Sequence, residues 1–186
     1  MANFYGSLIG FGAGGVASVD LRFGLTYGYA AGGYRGGYVN IIDYFPVASQ
    51  ATAVDWGDIT VARVTLKGTS GPTHGYCAGG HTGAPQSDII DRFPWASSAG
   101  SADVGNLTLA RGEDPGSSQS ADFGYTHGGN GNDRIDRYQF VATVDATDVG
   151  NLSSGSAGFG GYSSLTHGYC IGGNADKTRI DKYQHV

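Results

Sequence analysis

The feature that most constrains the fold is a sequence unit that recurs four times along the chain. Each copy carries the pattern G-Y-x-x-G-G, and the first glycines of successive copies lie 47, 49 and 44 residues apart. These first glycines are Gly28, Gly75, Gly124 and Gly168. An Ile-Asp pair follows every copy, and a segment of the form Asp-x-Gly-Asp/Asn-Ile/Leu-Thr/Ser follows three of them. A fixed period of this length indicates a repeat architecture, so the chain is expected to build four similar modules.

The composition predicts that these modules are sheets. Of the 186 residues, 34 are glycine and only 15% are charged, and Glu113 is the single glutamate. Gly, Ser, Thr, Tyr and Val dominate instead, and this mixture disfavours helices. Hydrophobic residues still make up 40% of the chain, which is enough for a core. We predict one all-β domain with four short strands in each repeat.

Each strand of a repeat has its own sequence pattern. A Gly/Ser/Ala-rich strand follows Arg63 or Arg111, and the G-Y-x-x-G-G strand comes second. The paired glycines that end the second strand are expected to supply positive φ or a close approach of two backbones. The Ile-Asp segment forms the third strand, and the Asp-x-Gly segment forms the fourth.

Four-stranded units of about 45 residues are typical of β-propeller blades. An Arg, apolar residues, Gly-Gly, an aromatic residue and then Trp56 resemble a kelch repeat, although Val104 and Val149 stand at the Trp position in later copies. The longer strings T-H-G-Y-x-x-G-G, I-D-R-Y/F and A-T-D-V-G-N-L-T are similar to repeats in virion and tail-fibre proteins of tailed bacteriophages. This resemblance covers nearly the whole chain. It implies a propeller of four kelch-like blades that is made in the host cytoplasm and located in the virion.

The ends of the chain suggest how such a ring would close. We expect repeats over residues 10–59, 60–107, 108–152 and 153–186, with residues 1–9 completing the last. The fourth repeat reaches Val186 just after its third strand, and residues 4–9 fit the missing outer strand. Pairing of this N-terminal strand with the C-terminal blade would remove two sheet edges. The alternative is a larger ring shared with a second copy, in which the same strand pairs across subunits.

Charge and hydropathy limit the classes of partner that the chain is expected to have. The net charge is −5 and no Lys/Arg run occurs, so nucleic acid is not an expected partner. No stretch approaches about 20 apolar residues, and residues 1–15 lack the pattern of a signal peptide, so neither membrane insertion nor export is expected. Cys77 and Cys170 occupy matching positions and are expected to be reduced packing residues.

Three patterns invite a catalytic or cofactor interpretation. Residues 10–15 match G-x-G-x-x-G, but β-branched residues follow and no βαβ unit exists, so no dinucleotide cofactor is expected. His74, His127 and His167 lie beside the double-glycine strands without a common register, so structural hydrogen bonds are expected there and no metal site. The third pattern is an aspartate in every repeat, at Asp43, Asp91, Asp136 and Asp181.

The recurring aspartate is expected to be structural. A carboxylate needed once per module would accept backbone N–H bonds or pair with Arg63, Arg111 or their equivalents. General acid–base catalysis instead needs two carboxyls in unlike environments. A cation held on the ring axis by four carboxylates is the alternative. We therefore predict no catalytic residue, no cofactor and no enzymatic activity; a propeller enzyme would need unlike carboxylates or a metal triad at the axis.

The segments between Gly-Gly and Ile-Asp differ from repeat to repeat. Variable loops on a fixed frame carry recognition, and repeat symmetry places all four on one face. The expected function is structural or adhesive, as a capsid decoration or tail-fibre component that contacts other virion proteins, a second copy or a host-surface glycan. A lectin-like propeller, with tyrosines stacked on sugars, is the alternative. The candidate binding residues are Tyr34, Arg35, Tyr38, His81, Asn132 and Lys177.

Overall fold

The computed structural model describes residues 27–175 and 177–186, together with the backbone of Ser7–Leu8. This part of the chain consists of strands and the loops that join them and contains no helix, which confirms the all-β prediction. In chain order the strands are β1 (Ser7–Leu8), β2 (Tyr27–Tyr34), β3 (Tyr38–Pro46), β4 (Val54–Asp58), β5 (Lys67–Ser70), β6 (His74–Ala78), β7 (Ile89–Pro94), β8 (Ala102–Asn106), β9 (Gly116–Gln119), β10 (Phe123–His127), β11 (Arg134–Gln139), β12 (Thr147–Asn151), β13 (Phe159–Ser163), β14 (His167–Gly172) and β15 (Ile180–Gln184).

The strands form four antiparallel sheets, one for each repeat. Their orders are β1-β2-β3-β4, β5-β6-β7-β8, β9-β10-β11-β12 and β13-β14-β15, and we number them sheets 1 to 4 in that sequence. Each sheet is a meander in which neighbours along the chain pair side by side. From β2 onward the paired strands within a sheet are joined by short connections, which can only join antiparallel strands. This arrangement resembles the blades of a β-propeller. Among the described residues, sheet 4 has three strands where the other sheets have four.

The N-terminal strand does not pair where the sequence analysis placed it. Ser7 lies opposite Ala31 and Leu8 lies opposite Ala30, so β1 is the first strand of sheet 1. The predicted pairing of this strand with the C-terminal blade is therefore wrong. Its position on β2 matches that of β5 on β6, and joining strands that are close in sequence costs less loop-closure entropy. The G-x-G-x-x-G segment at residues 10–15 lies outside the described residues.

The paired glycines have positive φ, as predicted; they lie at or just after the end of the second strand in sheets 2 to 4 and near the end of β2 in sheet 1. Gly79 and Gly80 have φ of 68° and 99°, and the other three pairs share this conformation. Gly80 donates to the carbonyl of Arg111 at 2.7 Å, so the backbone of the next linker lies directly against it. A side chain at Gly80 would overlap the carbonyl of Val64. The double glycine therefore lets the chain leave the sheet beside the incoming linker.

The third and fourth strands pair through a bulge in the fourth strand, and the third strand carries apolar residues on both of its faces. The register shifts between Ile42 and Asp43, and it shifts at the same position in sheets 2 and 3. In the third strand of sheet 2, Ile90 points to one face, whereas Asp91 and Phe93 point to the other. All three are fully buried. Both faces of an inner sheet therefore pack against neighbours.

Three hydrophobic cores separate the four sheets. The core between sheets 1 and 2 includes Tyr29, Ile42 and Phe93. The core between sheets 2 and 3 includes Tyr76 and Tyr138, and the core between sheets 3 and 4 includes Tyr125 and Cys170. The tyrosines of the first three G-Y pairs, Tyr29, Tyr76 and Tyr125, thus reach across to the third strand of the following sheet. We call this repeated contact the intersheet joint.

Candidate functional site: an aromatic cluster on two loops

The loops that join second to third strands carry the predicted binding residues. The loop of sheet 1 is a tight turn in which Arg35 donates its backbone N–H to the carbonyl of Gly37 at 2.9 Å. Tyr34 and Tyr38 face each other across it as a cross-strand pair. Gly36 sits at the turn with φ of 75°, a conformation that favours glycine. Both tyrosines and Arg35 are exposed at the tip of sheet 1.

The loop of sheet 2 folds back against this turn. The ring of His81 lies 5.8 Å from that of Tyr38, and Tyr38 lies 5.5 Å from Tyr34, both at steep edge-to-face angles. Tyr38 also covers Gly83, whose missing side chain makes room for its ring. The structure therefore brings three of the predicted site residues into one patch, in which both tyrosines are exposed and His81 is half-buried. We call Tyr34, Tyr38 and His81 the aromatic cluster.

His81 is held in a defined orientation. Its backbone N–H donates to the carbonyl of Val64 and its carbonyl accepts from the N–H of Val64, both at 3.0 Å. The N–H of Gly83 donates to Nδ1 of His81 at 3.2 Å. Because Nδ1 accepts, the neutral imidazole carries its proton on Nε2 and offers a donor there. The cluster thus combines two phenol rings with one oriented donor, beside the positive charge of Arg35.

The other two predicted site residues belong to different loops. Asn132 accepts the N–H of Arg134 at its Oδ1, at 2.7 Å, and so closes its own turn. Lys177 is exposed in the loop of sheet 4. Within the described part of the chain, no ring contact or hydrogen bond joins either residue to the aromatic cluster. The structure therefore assembles the candidate site from sheets 1 and 2 and leaves these two residues outside it.

The recurring aspartates hold the linkers between sheets. Asp91 accepts from Arg63 at 2.9 Å and from the hydroxyl of Thr60 at 2.7 Å. Asp136 accepts from Arg111 at 2.7 Å and from Thr108 at 2.6 Å. All four side chains of the two ion pairs are fully buried. The expectation that these carboxylates pair with Arg63 and Arg111 is confirmed.

Sheet 4 keeps the aspartate but changes the cation. Ser156 stands where the linkers of sheets 2 and 3 carry arginine, and Arg179 just before the third strand lies 3.2 Å from Asp181. Ser153 donates to Asp181 at 2.7 Å, as Thr60 does to Asp91. Sequence reasoning did not single out Arg179 or these hydroxyl residues. A serine at the linker arginine position was the available signal.

The histidines beside the double-glycine strands do not converge. His74 and His167 each bond through Nδ1 to the hydroxyl of the preceding threonine, at 2.7 and 2.8 Å. His127 is instead fully buried against Gly116 and the ring of Tyr183, and burial lowers its pKa to about 3. In the part of the chain that the structure describes, no group of three or more His, Cys, Asp or Glu residues could hold a metal ion.

The two cysteines serve as packing residues. Cys77 lies in the core between sheets 1 and 2, and Cys170 lies in the core between sheets 3 and 4. Both are free thiols, and desolvation raises the pKa of each to about 12. Neither thiol is therefore a nucleophile at neutral pH, which agrees with the expectation that they are small apolar residues.

Comparison with known proteins adds no assignment to this geometry. No model of a known protein family matches the chain, and no curated protein matches its sequence significantly. Within the described residues, no helix has both the length and the apolar character needed to cross a membrane.

Proposed function

We propose that the four sheets are blades of a kelch-like β-propeller and that the chain is a non-enzymatic structural or adhesion protein of a tailed-bacteriophage particle. The observation that carries this proposal is the use of the repeated polar groups. The two buried aspartates and their arginines hold one sheet to the next. Residues engaged in this way are not available to act as catalytic acids and bases. The variable side chains that remain exposed are those of a contact surface.

The proposed location follows from the resemblance of the repeats to phage virion and tail-fibre proteins. A particle protein should be present in a fixed number of copies. We therefore propose quantitative mass spectrometry of purified particles produced from the genome that encodes this chain. We expect the ratio of this chain to the major capsid protein to stay constant through successive purification steps. Loss of the chain during purification would contradict it.

A lectin-like function is the second candidate, and the aromatic cluster favours it. Tyrosine rings bind the apolar faces of sugars by stacking, and a fixed donor such as Nε2 of His81 can read one hydroxyl. The structure supplies both features within one patch. A host-surface glycan would then be the receptor of the particle.

Binding to an array of bacterial surface glycans tests this second candidate. Tyr34→Ala and Tyr38→Ala should each reduce binding by about tenfold or more, in line with loss of an aromatic contact residue. Tyr27→Ala is the matched control, because Tyr27 is an exposed tyrosine at the opposite end of the same strand β2. Equal loss in all three variants, or no glycan bound by the parent chain, would exclude the lectin-like function.

A further inference from the structure

The outer face of sheet 4 carries apolar residues whose counterparts are buried everywhere else. Ile180 is 64% exposed, whereas its repeat equivalents Ile42, Ile90 and Ile135 are 0%, 1% and 3% exposed. On the same face Tyr162 is 63% exposed and Tyr169 is half-buried. This surface therefore has the residues of one side of an intersheet joint, but no following sheet packs against it among the described residues.

The opposite face of sheet 1 carries the complementary half. Phe45 lies opposite Gly28, as Phe93 lies opposite Gly75 in sheet 2. Phe93 is fully buried by sheet 1, whereas Phe45 is only half-buried and Val47 beside it is 44% exposed. The face of sheet 1 that would receive a preceding sheet is therefore apolar and accessible.

The internal joints show how these two halves fit. Between sheets 2 and 3, the ring of Tyr76 lies 6.1 Å from Tyr138 and 4.9 Å from Phe140. Thr69 and Tyr138 add a hydrogen bond of 2.9 Å between their hydroxyls. In the same way Tyr125 packs on Tyr183. At the open face, Tyr169 takes the place of Tyr76, and Tyr162 takes the place of Thr69.

In the part of the chain that the structure describes, the two open faces do not meet. Among the described residues, no hydrogen bond, ion pair or ring contact joins sheet 4 to sheet 1. A second copy offers the missing half at the same register, since its sheet 1 carries Phe45 and Val47 where the internal joints carry aromatic residues. A head-to-tail contact of this kind closes a ring when its rotation closes. Two copies would supply eight sheets, which lies within the usual range of propellers.

We propose that the outer face of sheet 4 binds sheet 1 of a second copy of this chain, and that two copies complete one ring of eight sheets through two such joints. This inference rests on the proposed identity of the sheets as blades. It does not depend on whether the ring resides in a phage particle, so particle mass spectrometry and the experiments below fail independently.

Thiol cross-linking between two variants, each with one added cysteine, tests the contact. Tyr162→Cys places a thiol on the outer face of sheet 4, and Val47→Cys places one on the face of sheet 1. The buried Cys77 and Cys170 do not react. A short bismaleimide should link the two variants into a covalent pair when they are mixed, and much less when each is treated alone. Val141→Cys, which is 75% exposed, replaces Val47→Cys as the control.

The double variant Val47→Cys/Tyr162→Cys separates a second copy from closure within one chain. Links between chains are expected to give covalent dimers on a denaturing gel. A compact monomer linked only to itself would overturn the proposal in favour of a self-closed ring. Absence of any cross-link in the mixture of single variants would overturn it as well.

A charge placed on the open face provides the second test. Ile180→Lys should weaken self-association by on the order of 100-fold, because an ammonium would have to be buried in an apolar joint. Since Ile180 is mostly exposed within one chain, the variant should fold, and circular dichroism checks this. Val141→Lys is the matched control. Unchanged association of Ile180→Lys, or no association of the parent chain, would overturn the proposal.

Discussion

Sheets 2 and 3 differ from sheet 4 in which residue neutralises the aspartate that recurs in every repeat. In sheets 2 and 3 an arginine from the preceding linker reaches a fully buried aspartate. In sheet 4 the arginine is Arg179, the residue just before the sheet's own third strand, and the ion pair is partly exposed. The repeat therefore preserves the ion pair while changing which residue supplies the cation. In sheets 2 and 3 the arginine–aspartate pair also ties the sheet to its preceding linker, whereas the described ion pair of sheet 4 lies within that sheet's own segment.

Breaking the buried pair should have the largest effect. Asp136→Ala leaves the guanidinium of Arg111 buried without its carboxylate, which should lower the free energy of unfolding by about 3–5 kcal/mol. Asp181→Ala should cost less, about 1–3 kcal/mol, because Arg179 and Asp181 keep 13% and 15% of their side-chain exposure and water can partly solvate Arg179. Urea denaturation followed by tryptophan fluorescence measures both. Similar losses in the two variants would remove the distinction between inner and terminal sheets.

Acid should destabilise the joint between sheets 3 and 4 through His127. Desolvation, with Arg111 and Lys67 nearby, lowers the pKa of His127 to about 3, whereas the unfolded chain binds this proton near pH 6.5. Stability should therefore fall with decreasing pH between about 6.5 and 3, by up to about 1.4 kcal/mol per pH unit from this residue. Unfolding free energies measured across this range give the slope.

His127→Ile tests that slope, because sheet 4 carries Ile171 at the equivalent position. The variant should show a smaller pH dependence between pH 6.5 and 4 than the parent chain. His167→Ala serves as the control, since that histidine lies at a strand start and bonds to Thr166. A slope that persists in His127→Ile would assign the acid sensitivity to other groups.

Adding a methyl group beneath an aromatic ring should destabilise the protein more at an inner joint than at the open face. In Gly124→Ala the new Cβ would overlap the ring of Tyr138, which is packed between two sheets. The expected cost is about 1–3 kcal/mol. In Gly28→Ala the ring of Phe45 lies on the open face and can move aside, so less destabilisation is expected. Gly37→Ala, where a Cβ meets nothing within 4 Å, is the control for thermal denaturation.

Removing one hydroxyl from a joint should have the smallest effect. Tyr138→Phe removes the hydroxyl that lies 2.9 Å from the hydroxyl of Thr69, and it should lower the free energy of unfolding by about 1 kcal/mol. The double variant Thr69→Val/Tyr138→Phe should recover part of this loss, since both polar groups are then gone. A double-mutant cycle by chemical denaturation measures the coupling. A coupling energy near zero would mean that the joint is held by ring packing alone.

Much of the fold could be predicted from the sequence, because each repeat contains residues that mark where its strands end. The period set the number of sheets, and glycines such as Gly79 and Gly80 marked the ends of strands through their positive φ. The opposite facing of Ile90 and Phe93 follows from strand alternation alone, but the pairing of the fourth strand could not be deduced, since β8 carries an extra residue opposite β7. The pairing of β1 was mispredicted because a short Gly-rich segment matches more than one strand position.

The candidate site was predictable only in part, for a physical reason. Tyr34 and Tyr38 flank one turn, so local sequence suffices to bring them together. Their contact with His81 depends on how the longer loop of sheet 2 folds back, and nothing in the period fixes that. Symmetry predicted a common face for all six residues, but contact also requires loop length, which differs between the repeats.

The mass of the unmodified chain in solution tests the shared intersheet joint most directly. Native mass spectrometry at micromolar concentration should find a predominant species of twice the 19.1 kDa chain mass. That species should split into single chains when Ile180→Lys is introduced. A parent chain that stays at 19.1 kDa throughout this concentration range would contradict the completion of the open faces by a second copy.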